Sequence, residues 1–227
     1  MEATDIKNQL RNEKKFVFSS SHIIIEKFLI FMGAYEKYPK RIVNSIYFDT
    51  VFHKNYIEAV EGIMSRNKIR IRWYGSSFNT IIKPQFENKY KINNHNNKII
   101  KKCDNFEVGN IFNLINFKKY IEIMKKKDEE LNFYLNNKYP NLFVSYDRLY
   151  YEFQNIRITL DFNLKFIDLS KTKNFSNKNL LNLNKKQVVE FKFLDQYNDQ
   201  TLKFTKNFHN RLSKFSKYEI GLNETFY

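Results

Sequence analysis

Several segments of the chain alternate between apolar and polar residues, the pattern expected of strands with two different faces. Residues 67–74 alternate strictly, and their two faces carry Lys68, Arg70 and Arg72 on one side and Ile69, Ile71 and Trp73 on the other. Successive side chains of a strand point to opposite sides of a sheet, so each such segment has a charged face and an apolar face. Alternation also marks strands at Thr80–Ile92, Ile156–Ile167 and Gln187–Phe193. Arg11–Phe18, Arg41–Asp49 and Leu142–Phe153 are predicted as strands too, Arg41–Asp49 because it is rich in residues that favour strands.

Helical spacing of apolar residues occurs in three other segments. Ile24, Phe28 and Phe31 follow the serines Ser19–Ser21, which predicts a helix with a serine N-cap and these apolar residues on one face. Two further helical segments are predicted from the same spacing, at Phe106–Tyr139 and near Thr201–Arg211.

Polar segments without periodicity are predicted as loops. They are Asn93–Asn105 and Lys171–Lys186, both rich in asparagine and lysine. Gln154 and Asn155 separate two alternating segments, which indicates a hairpin turn. Because no break in composition marks a domain boundary, we expect one α+β domain over residues 1–227.

Charge recurs on one face of strand after strand. The charged faces are formed by Arg11, Glu13 and Lys15, by Lys68, Arg70 and Arg72, by Glu87, Lys89 and Lys91, by Arg148, by Arg157 and Asp161, and by Glu190 and Lys192. If helices cover the apolar faces, the charged faces line the interior of a closed barrel. Like charges at alternate positions repel each other, so such a lining requires a polyanion inside. The pattern alone leaves this barrel and a solvent-facing sheet equally open.

Composition and charge narrow the function classes. The chain has 227 residues and a formal net charge of +15, which favours an anionic partner: nucleic acid, anionic lipid and polyphosphate all fit. The single cysteine, Cys103, permits no internal disulfide and fits a reducing, cytoplasmic compartment. The longest apolar stretch, residues 23–35, is too short and too charged to cross a bilayer, so we expect no transmembrane segment.

Two kinds of site are excluded by spacing. The histidines at positions 22, 53, 95 and 209 share no metal-ligand spacing, and with one cysteine no zinc site is expected. The five glycines never form a glycine-rich phosphate loop. Side chains would therefore have to hold any nucleotide through its phosphates.

Short motifs follow one another in order over residues 11–222. They are Arg11-Asn-Glu-Lys-Lys-Phe16, Ser45-Ile-Tyr-Phe-Asp-Thr50, Lys68-Ile-Arg-Ile-Arg-Trp-Tyr-Gly75, Glu87-Asn-Lys89, Ser145-Tyr-Asp-Arg148, Arg157-Ile-Thr-Leu-Asp161, Val189-Glu-Phe-Lys192 and Ser213-Lys-Phe-Ser-Lys-Tyr218. The ordered set resembles the VTC domain, the polyphosphate polymerase branch of the triphosphate tunnel metalloenzymes in the CYTH-like superfamily. The resemblance implies a closed antiparallel β-barrel with helices packed on the outside, whose tunnel binds triphosphate and a divalent cation.

The resemblance also implies roles for individual residues. The basic groups that grip the phosphate chain would be Lys15, Arg70, Arg72, Lys89, Arg148 and Lys217. Further phosphate contacts would come from Tyr146, Ser216, Lys192 and Arg11. Glu190 would hold the divalent cation, Mn²⁺ or Mg²⁺, and Glu13 fits either a second metal ligand or a carboxylate that orients a lysine. One more tunnel lysine is expected among Lys98, Lys101 and Lys102, and the spacing does not choose between them.

One departure from the superfamily pattern bears on the reaction. The wider superfamily begins with Glu-x-Glu-x-Lys, whereas this chain has Arg11-x-Glu13-x-Lys15, as in the polymerase branch. The resemblance therefore predicts an ATP-dependent polyphosphate polymerase, which transfers the γ-phosphate of ATP to the end of an inorganic polyphosphate chain. A metal-dependent inorganic triphosphatase is the first alternative, and a non-catalytic module that binds polyanions is the second. No specific nucleic-acid partner is expected.

Overall fold

The computed structural model describes residues 11–75, 78–92, 95–183 and 185–226, and it has the α+β architecture that the sequence predicts. The strands are β1 (Arg11–Phe18), β2 (Tyr35–Asp49), β3 (Arg66–Tyr74), β4 (Asn79–Ile81), β5 (Gln85–Ile92), β6 (His95–Lys102), β7 (Phe106–Gly109), β8 (Phe112–Asn113), β9 (Tyr139–Phe153), β10 (Ile156–Asp168), β11 (Asn174–Phe175), β12 (Leu181–Leu183) and β13 (Gln187–Leu194). The helices are α1 (His22–Phe31), α2 (Lys54–Val60), α3 (Leu114–Lys127), α4 (Glu129–Leu135), α5 (Asn198–Thr205) and α6 (Lys217–Phe226).

Hydrogen bonds connect the main strands in the order β1-β13-β10-β9-β2-β3-β5-β6, with β12 paired to β10. Every main-sheet pairing whose register is described is antiparallel. Strands β1 and β6 stand at the two ends of this series, and among the described residues no strand pairing joins them. The predicted barrel is therefore not closed by hydrogen bonds.

The segment at residues 210–215 covers the outer edge of β1. The Ser213 amide donates a hydrogen bond to the Lys15 carbonyl oxygen at 2.9 Å. The Asn210 side chain donates to the Val17 carbonyl oxygen at 2.7 Å. An uncovered sheet edge is a template for pairing with another strand. The carbonyl oxygens of Lys15 and Val17 already accept hydrogen bonds, so a strand that paired with this edge of β1 to close the barrel would have to displace the segment.

The chain divides into two compact units. Unit 1 comprises the described parts of Met1–Arg41, Asp147–Leu164 and Leu183–Phe215, and unit 2 comprises those of Ile42–Tyr146, Lys165–Asn182 and Ser216–Tyr227. Each unit has an apolar core of its own. That the whole chain behaves as a single domain stays a prediction.

In unit 2, helices α3 and α4 pack on the apolar faces of strands. The core contains Ile69, Ile71 and Trp73 of β3 together with Phe117, Ile121, Met124, Leu131 and Leu135 of the two helices. In unit 1, the core contains Ile156, Ile158 and Leu160 of β10 with Ile25 and Leu29 of α1 and Phe204 of α5. The expectation that helices cover the apolar strand faces is confirmed within each unit.

Helix α1 begins where the sequence predicts but buries a different face. Its N-cap Ser21 accepts a hydrogen bond from the Ile23 amide at 3.4 Å. Ile25 and Leu29 are buried in the core of unit 1, whereas Phe31, on the face chosen from the sequence, is 85% exposed. The segment is apolar on almost every side. Spacing alone therefore does not identify the face that packs, and only the tertiary contacts select it.

Two predicted boundaries around β5 are wrong. The segment predicted as one strand at 80–92 is interrupted, because Lys83 has a left-handed backbone (φ 49°) and Pro84, which follows it, has no amide hydrogen to donate. The predicted loop at 93–105 contains β6, which pairs with β5 along its whole length. Polar residues form this strand because β5 supplies the pairing, which sequence preference does not reveal.

The remaining corrections concern the helical and loop segments. Within the segment predicted as helical at 106–139, residues 106–113 form the short strands β7 and β8, and Asp128 separates α3 from α4 as the N-cap of α4. The predicted loop at 171–186 contains the short strands β11 and β12. The helix predicted near residues 201–211 is α5, which ends at Thr205. The sequence pattern did not predict α6. In the described part of the chain, no helix combines the length and the apolar character needed to cross a bilayer.

The packing of α1 gives a matched pair of variants. Leu29→Ala should lower the free energy of unfolding by about 2–5 kcal/mol, because it leaves a cavity in the core of unit 1. Phe31→Ala should change it by less than about 0.5 kcal/mol, because that ring lies in solvent. Urea denaturation followed by circular dichroism measures both. A larger loss for Phe31→Ala would contradict the orientation of the helix.

Candidate functional site

Several charges on the strand faces are buried rather than solvated, whereas Glu13, Lys89 and Arg157 are exposed. Arg72 and Glu190 are each 8% exposed, Glu87 is 3% exposed and Asp161 is fully buried. A solvent-facing sheet would leave these side chains in water, so that alternative is excluded at these positions. The buried charges form one cluster in each unit.

The arginine cluster of unit 2 consists of Tyr47, Arg70, Arg72, Glu87, Lys98 and Tyr146. Strand β3 runs between β2 and β5, and the register places Tyr47 and Glu87 directly beside Arg70 on either side. Arg70 donates through Nε to Glu87 Oε2 at 2.6 Å and through Nη1 to the Tyr47 hydroxyl at 2.9 Å. The guanidinium is therefore held in one orientation by its two neighbouring strands.

The Glu87 carboxylate contacts several cations at once. Besides Arg70, it faces Arg72 Nη1 at 3.7 Å and accepts from Lys98 Nζ at 2.7 Å. Burial disfavours its charge, but the positive charges of Arg70, Arg72 and Lys98 outweigh burial and hold the pKa of this carboxyl well below its usual range. Glu87 thus orients basic groups.

The register also decides which lysine of β6 joins this cluster. Lys98 reaches Glu87. Lys101 lies on the other face of β6, where its Nζ contacts Asp128 at 2.8 Å and Glu130 at 2.5 Å beside helix α4. Lys102 lies further along the strand, opposite Gln85. Of the three lysines that the spacing left open, the structure places Lys98 with the arginines.

Arg72 is held by hydroxyl groups. Its Nε donates to Ser45 Oγ at 3.3 Å, and its Nη2 donates to the Tyr146 hydroxyl at 3.4 Å. Lys217 Nζ lies 4.5 Å from the centroid of the Tyr146 ring, a cation–π contact. Three residues expected to bind phosphate, Arg72, Tyr146 and Lys217, are thus brought together.

Ser216 and Lys89 lie near the N-terminal half of β3. Ser216 Oγ accepts a hydrogen bond from Lys68 Nζ at 2.7 Å, and Lys68 also faces Glu219 at 3.5 Å. Lys89 lies opposite Lys68 in the register and is exposed. The position of Lys89 in the site therefore stays a prediction.

Tyr47 is the residue of this cluster to which the sequence pattern assigned no role. Its hydroxyl accepts from Arg70, and its ring stacks on the Tyr218 ring with centroids 5.0 Å apart. Burial raises the pKa of Tyr47, but the charges of Arg70, Arg72 and Lys68 lower it by more, so that the pKa is about 8. The sequence feature that could have identified Tyr47 is its position in the strand, because it shares a strand face with Ser45 inside a motif of the ordered set.

The Glu190 cluster of unit 1 consists of Glu13, Lys15, Arg148, Asp161, Glu190 and Lys192. Strands β1 and β13 set it up, because their register places Glu13 opposite Lys192 and Lys15 opposite Glu190. Lys192 Nζ lies 2.8 Å from Glu190 and 3.6 Å from Glu13, and Lys15 Nζ lies 2.6 Å from Glu13. Two lysines and two carboxylates thus alternate in space.

Glu190 stays ionised although it is buried. Burial would raise the pKa of Glu190, but the charges of Lys192, Arg148 and Lys15 hold it well below its usual range. A cavity of about 10 Å³ adjoins the carboxylate and is lined by Arg148, Arg157, Thr159, Glu190 and Lys192. Such a volume admits about one water-sized group.

Asp161 fixes the arginine of this cluster. Arg148 donates through Nε to Asp161 Oδ1 at 2.5 Å and through Nη2 to Oδ2 at 2.7 Å. This two-point contact sets both the position and the plane of the guanidinium. Asp161 therefore pairs with Arg148. The side chain of Arg11 lies outside the described residues.

The carboxylates of this cluster fit a divalent cation only in part. Mn²⁺ and Mg²⁺ prefer about six oxygen ligands, and Glu190 and Glu13 supply carboxylate oxygens of the right kind. Within the described residues there is no group of three or more histidine, cysteine, aspartate or glutamate side chains arranged for a metal ion. A cation here would therefore need most of its ligands from phosphate oxygens or water.

The ionised state of Glu87 gives a stability test. Glu87→Gln should lower the free energy of unfolding near neutral pH by about 3–5 kcal/mol, because Arg70 would stay buried without its carboxylate. A depressed pKa in the folded protein contributes stability above the pKa of the unfolded chain, about 4.3. The difference from wild type should therefore shrink as the pH falls below that value.

Urea denaturation over a range of pH measures this effect. Glu122→Gln is the control, since Glu122 is an exposed glutamate of α3 whose partner Lys125 lies on the same helix. Its effect should stay within about 0.5 kcal/mol at every pH. Similar losses for the two variants, or a loss for Glu87→Gln that grows in acid, would contradict the assignment.

Structural comparison shows the fold of this chain in proteins of distant sequence. A candidate adenylate cyclase from Vibrio parahaemolyticus is 13% identical with a TM-score of 0.53, over 93% of this chain and 97% of that chain. A candidate adenylyl cyclase from Hippeastrum, described by its dominant triphosphatase activity, is 12% identical with a TM-score of 0.55, over 95% and 97%. A candidate adenylate cyclase from Bacillus halodurans is 11% identical with a TM-score of 0.54, over 92% and 94%.

These similarities show the fold alone and leave the activity of this chain open. No curated protein sequence matches the chain. The family model of the VTC domain matches residues 3–226, which is nearly the whole length. The chain therefore belongs to the VTC domain family.

Proposed function

We propose that this VTC domain is an ATP-dependent polyphosphate polymerase that transfers the γ-phosphate of ATP to the end of an inorganic polyphosphate chain. The observation that carries the proposal is the buried arginine cluster. Arg70 and Arg72 share one face of β3 with a single carboxylate, Glu87, between them, and Lys98 adds a further positive charge. A multiply charged anion such as a triphosphate would balance this excess of positive charge.

The reaction asks the protein mainly to position phosphates and to neutralise their charge. A terminal oxygen of the polyphosphate chain attacks the γ-phosphorus of ATP and forms the new P–O bond. The bond between the γ-phosphorus and the β,γ-bridging oxygen breaks, and ADP leaves with that electron pair. The attacking oxygen is already anionic, so no general base is required.

In this proposal both clusters supply groups that bind phosphate. The phosphate chain is gripped by Lys15, Arg70, Arg72, Lys89, Arg148 and Lys217, with Tyr146, Ser216, Lys192 and Arg11 as further contacts. Pre-oriented donors stabilise the charge that develops in the transition state most, because they need not reorganise during the reaction. Arg148, fixed by Asp161, and Arg70, fixed by Glu87, meet this condition.

Glu190 would hold the divalent cation, with Glu13 beside it. A bound Mn²⁺ or Mg²⁺ ion would supply positive charge that neutralises part of the charge on the phosphates. The depressed pKa of Glu190 keeps its carboxylate ionised. Lys192, which lies 2.8 Å from Glu190, would be a phosphate contact beside this carboxylate.

Hydrolysis of inorganic triphosphate is the second candidate function. A structural neighbour from Hippeastrum that shares this fold is described by its dominant triphosphatase activity. The same basic groups would grip the substrate, and water would replace the polyphosphate end as the acceptor. The two reactions differ in the donor, which is ATP or inorganic triphosphate, and in the acceptor, so their products distinguish them.

Product analysis tests the proposal. Purified protein with ATP and Mn²⁺ should form polyphosphate chains and ADP, and Arg70→Ala should reduce the rate by about 10²–10³-fold, the usual effect of losing one pre-oriented donor. Gel electrophoresis resolves the chains, and coupled detection measures ADP. Orthophosphate from tripolyphosphate without chain growth would point to hydrolysis. Equal rates for wild type and Arg70→Ala would contradict both reactions.

Lys15 and Lys14 provide a matched test of the Glu190 cluster. Lys15 contacts Glu13, whereas its neighbour Lys14 faces Asn198 of α5 at 3.3 Å on the opposite side of β1. Lys15→Ala should cost on the order of 2–4 kcal/mol of transition-state stabilisation, and Lys14→Ala less than about 0.5 kcal/mol. Rates of polyphosphate synthesis measure both, with thermal melting to check folding. Equal losses would contradict an inward role for Lys15.

A further inference from the structure

Arg70 has two partners of different kinds. Glu87 is an ionised carboxylate, and the Tyr47 hydroxyl, 2.9 Å from Nη1, is a group that can gain or lose a proton. The register of β2, β3 and β5 puts these partners on opposite sides of Arg70. The charge that Arg70 offers to a ligand therefore depends on whether Tyr47 is neutral or ionised.

The Tyr47 ring is fixed in place. Tyr47 is 3% exposed, and its ring stacks on Tyr218 at 5.0 Å with an interplanar angle of 24°. Tyr218 is anchored in turn, because its hydroxyl donates to Asp49 Oδ2 at 2.6 Å. With its ring held on this side, the Tyr47 hydroxyl stays beside Arg70 in either protonation state.

The cations around Tyr47 lower the pH at which it loses its proton. They are Lys68, Arg70 and Arg72 of β3. The Tyr47 ring stacks on Tyr218 of α6, and the carboxylates of Glu87 and Asp49 are bonded to Arg70 and Tyr218. Burial raises the pKa of Tyr47, but the three cations of β3 lower it by more, so that the pKa is about 8. Burial and Asp49 raise the pKa of Tyr218, so that hydroxyl keeps its proton in this range.

We propose that Tyr47 is a pH-sensitive positioning residue for phosphate binding. As a neutral phenol it holds the Arg70 guanidinium in place and leaves the charge of Arg70 to the phosphate chain. As a phenolate it pairs with Arg70 itself and repels the phosphate. The inference rests on the proposed function for the class of ligand, an inorganic polyphosphate, and adds an upper pH limit on its binding.

The direction of the effect follows from linkage. A bound polyanion disfavours a second negative charge beside it, so it raises the pKa of Tyr47. By reciprocity, loss of the Tyr47 proton weakens binding of the polyanion. The affinity for the polyanion should therefore not depend on ionisation of Tyr47 well below the pKa of Tyr47. Above that pKa, the affinity should fall by up to about tenfold per pH unit.

Binding of tripolyphosphate to the full chain tests the proposal. Isothermal titration calorimetry gives the ratio of the Kd of wild type to the Kd of Tyr47→Phe at each pH. Loss of the hydroxyl that holds Arg70 changes the Kd of Tyr47→Phe by the same factor at every pH, so it does not affect how this ratio varies with pH. From near neutral pH to one pH unit above the pKa of Tyr47, the ratio should rise about tenfold, because only wild type has this proton to lose. Ionisation of tripolyphosphate and of the lysines affects both proteins equally, so it cancels in the ratio.

Ultraviolet titration of tyrosinate supplies a readout that does not need turnover. One tyrosine of wild type should ionise near pH 8, and tripolyphosphate should move that step to higher pH. The step should be absent from Tyr47→Phe and present in Tyr120→Phe. Tyr120 is the control because burial raises its pKa and its hydroxyl donates to the Asp104 carbonyl oxygen, far from the arginines in sequence.

The outcomes separate this inference from the proposed reaction. A ligand-dependent tyrosinate step without polyphosphate synthesis would support the role of Tyr47 and count against the polymerase. Synthesis with an identical pH dependence of Kd in wild type and Tyr47→Phe would overturn the role of Tyr47 and leave the polymerase standing. A tyrosinate step that tripolyphosphate does not move would also overturn it.

Discussion

The need to balance positive charges that are buried next to one another constrains this structure most. Arg70 and Arg72 lie on one strand face at alternate positions, largely removed from water, and repel each other. Glu87 makes this arrangement tolerable, because one carboxylate faces both guanidinium groups and Lys98 as well. An unpaired buried charge costs several kcal/mol, so the strand register that aligns Glu87 with Arg70 is fixed by electrostatics as much as by the apolar face.

The two clusters solve this problem differently. In unit 1, Arg148 has a carboxylate of its own, since Asp161 contacts it at two points. In unit 2, several cations share Glu87, and neutral hydroxyls complete their hydrogen bonding. A fully paired arginine provides a rigid reference point, whereas shared cations keep an uncompensated charge that a ligand can use. Rigidity and residual charge are thus assigned to different residues.

The sequence reveals strand faces better than it reveals partners. Alternation predicted β3 and β13, because a strand with one charged face and one apolar face leaves a clear pattern in the sequence. Pairing between distant segments leaves no such pattern, so β6 was missed, and Lys98 was chosen among three lysines only by its register with β5. The pKa of Tyr47 depends on Arg70 and Arg72, which lie more than twenty residues away, and no local motif encodes that distance. The buried face of α1 likewise depends on tertiary contacts.

The segment that covers β1 has a consequence for many copies of the protein together. A long polyanion gathers basic proteins along its length and raises their local concentration. Under such crowding, exposed strand edges would join through backbone hydrogen bonds and build extended fibrous assemblies. Ser213 and Asn210 already occupy the backbone acceptors of Lys15 and Val17. Crowded copies would therefore not pair through this edge of the sheet.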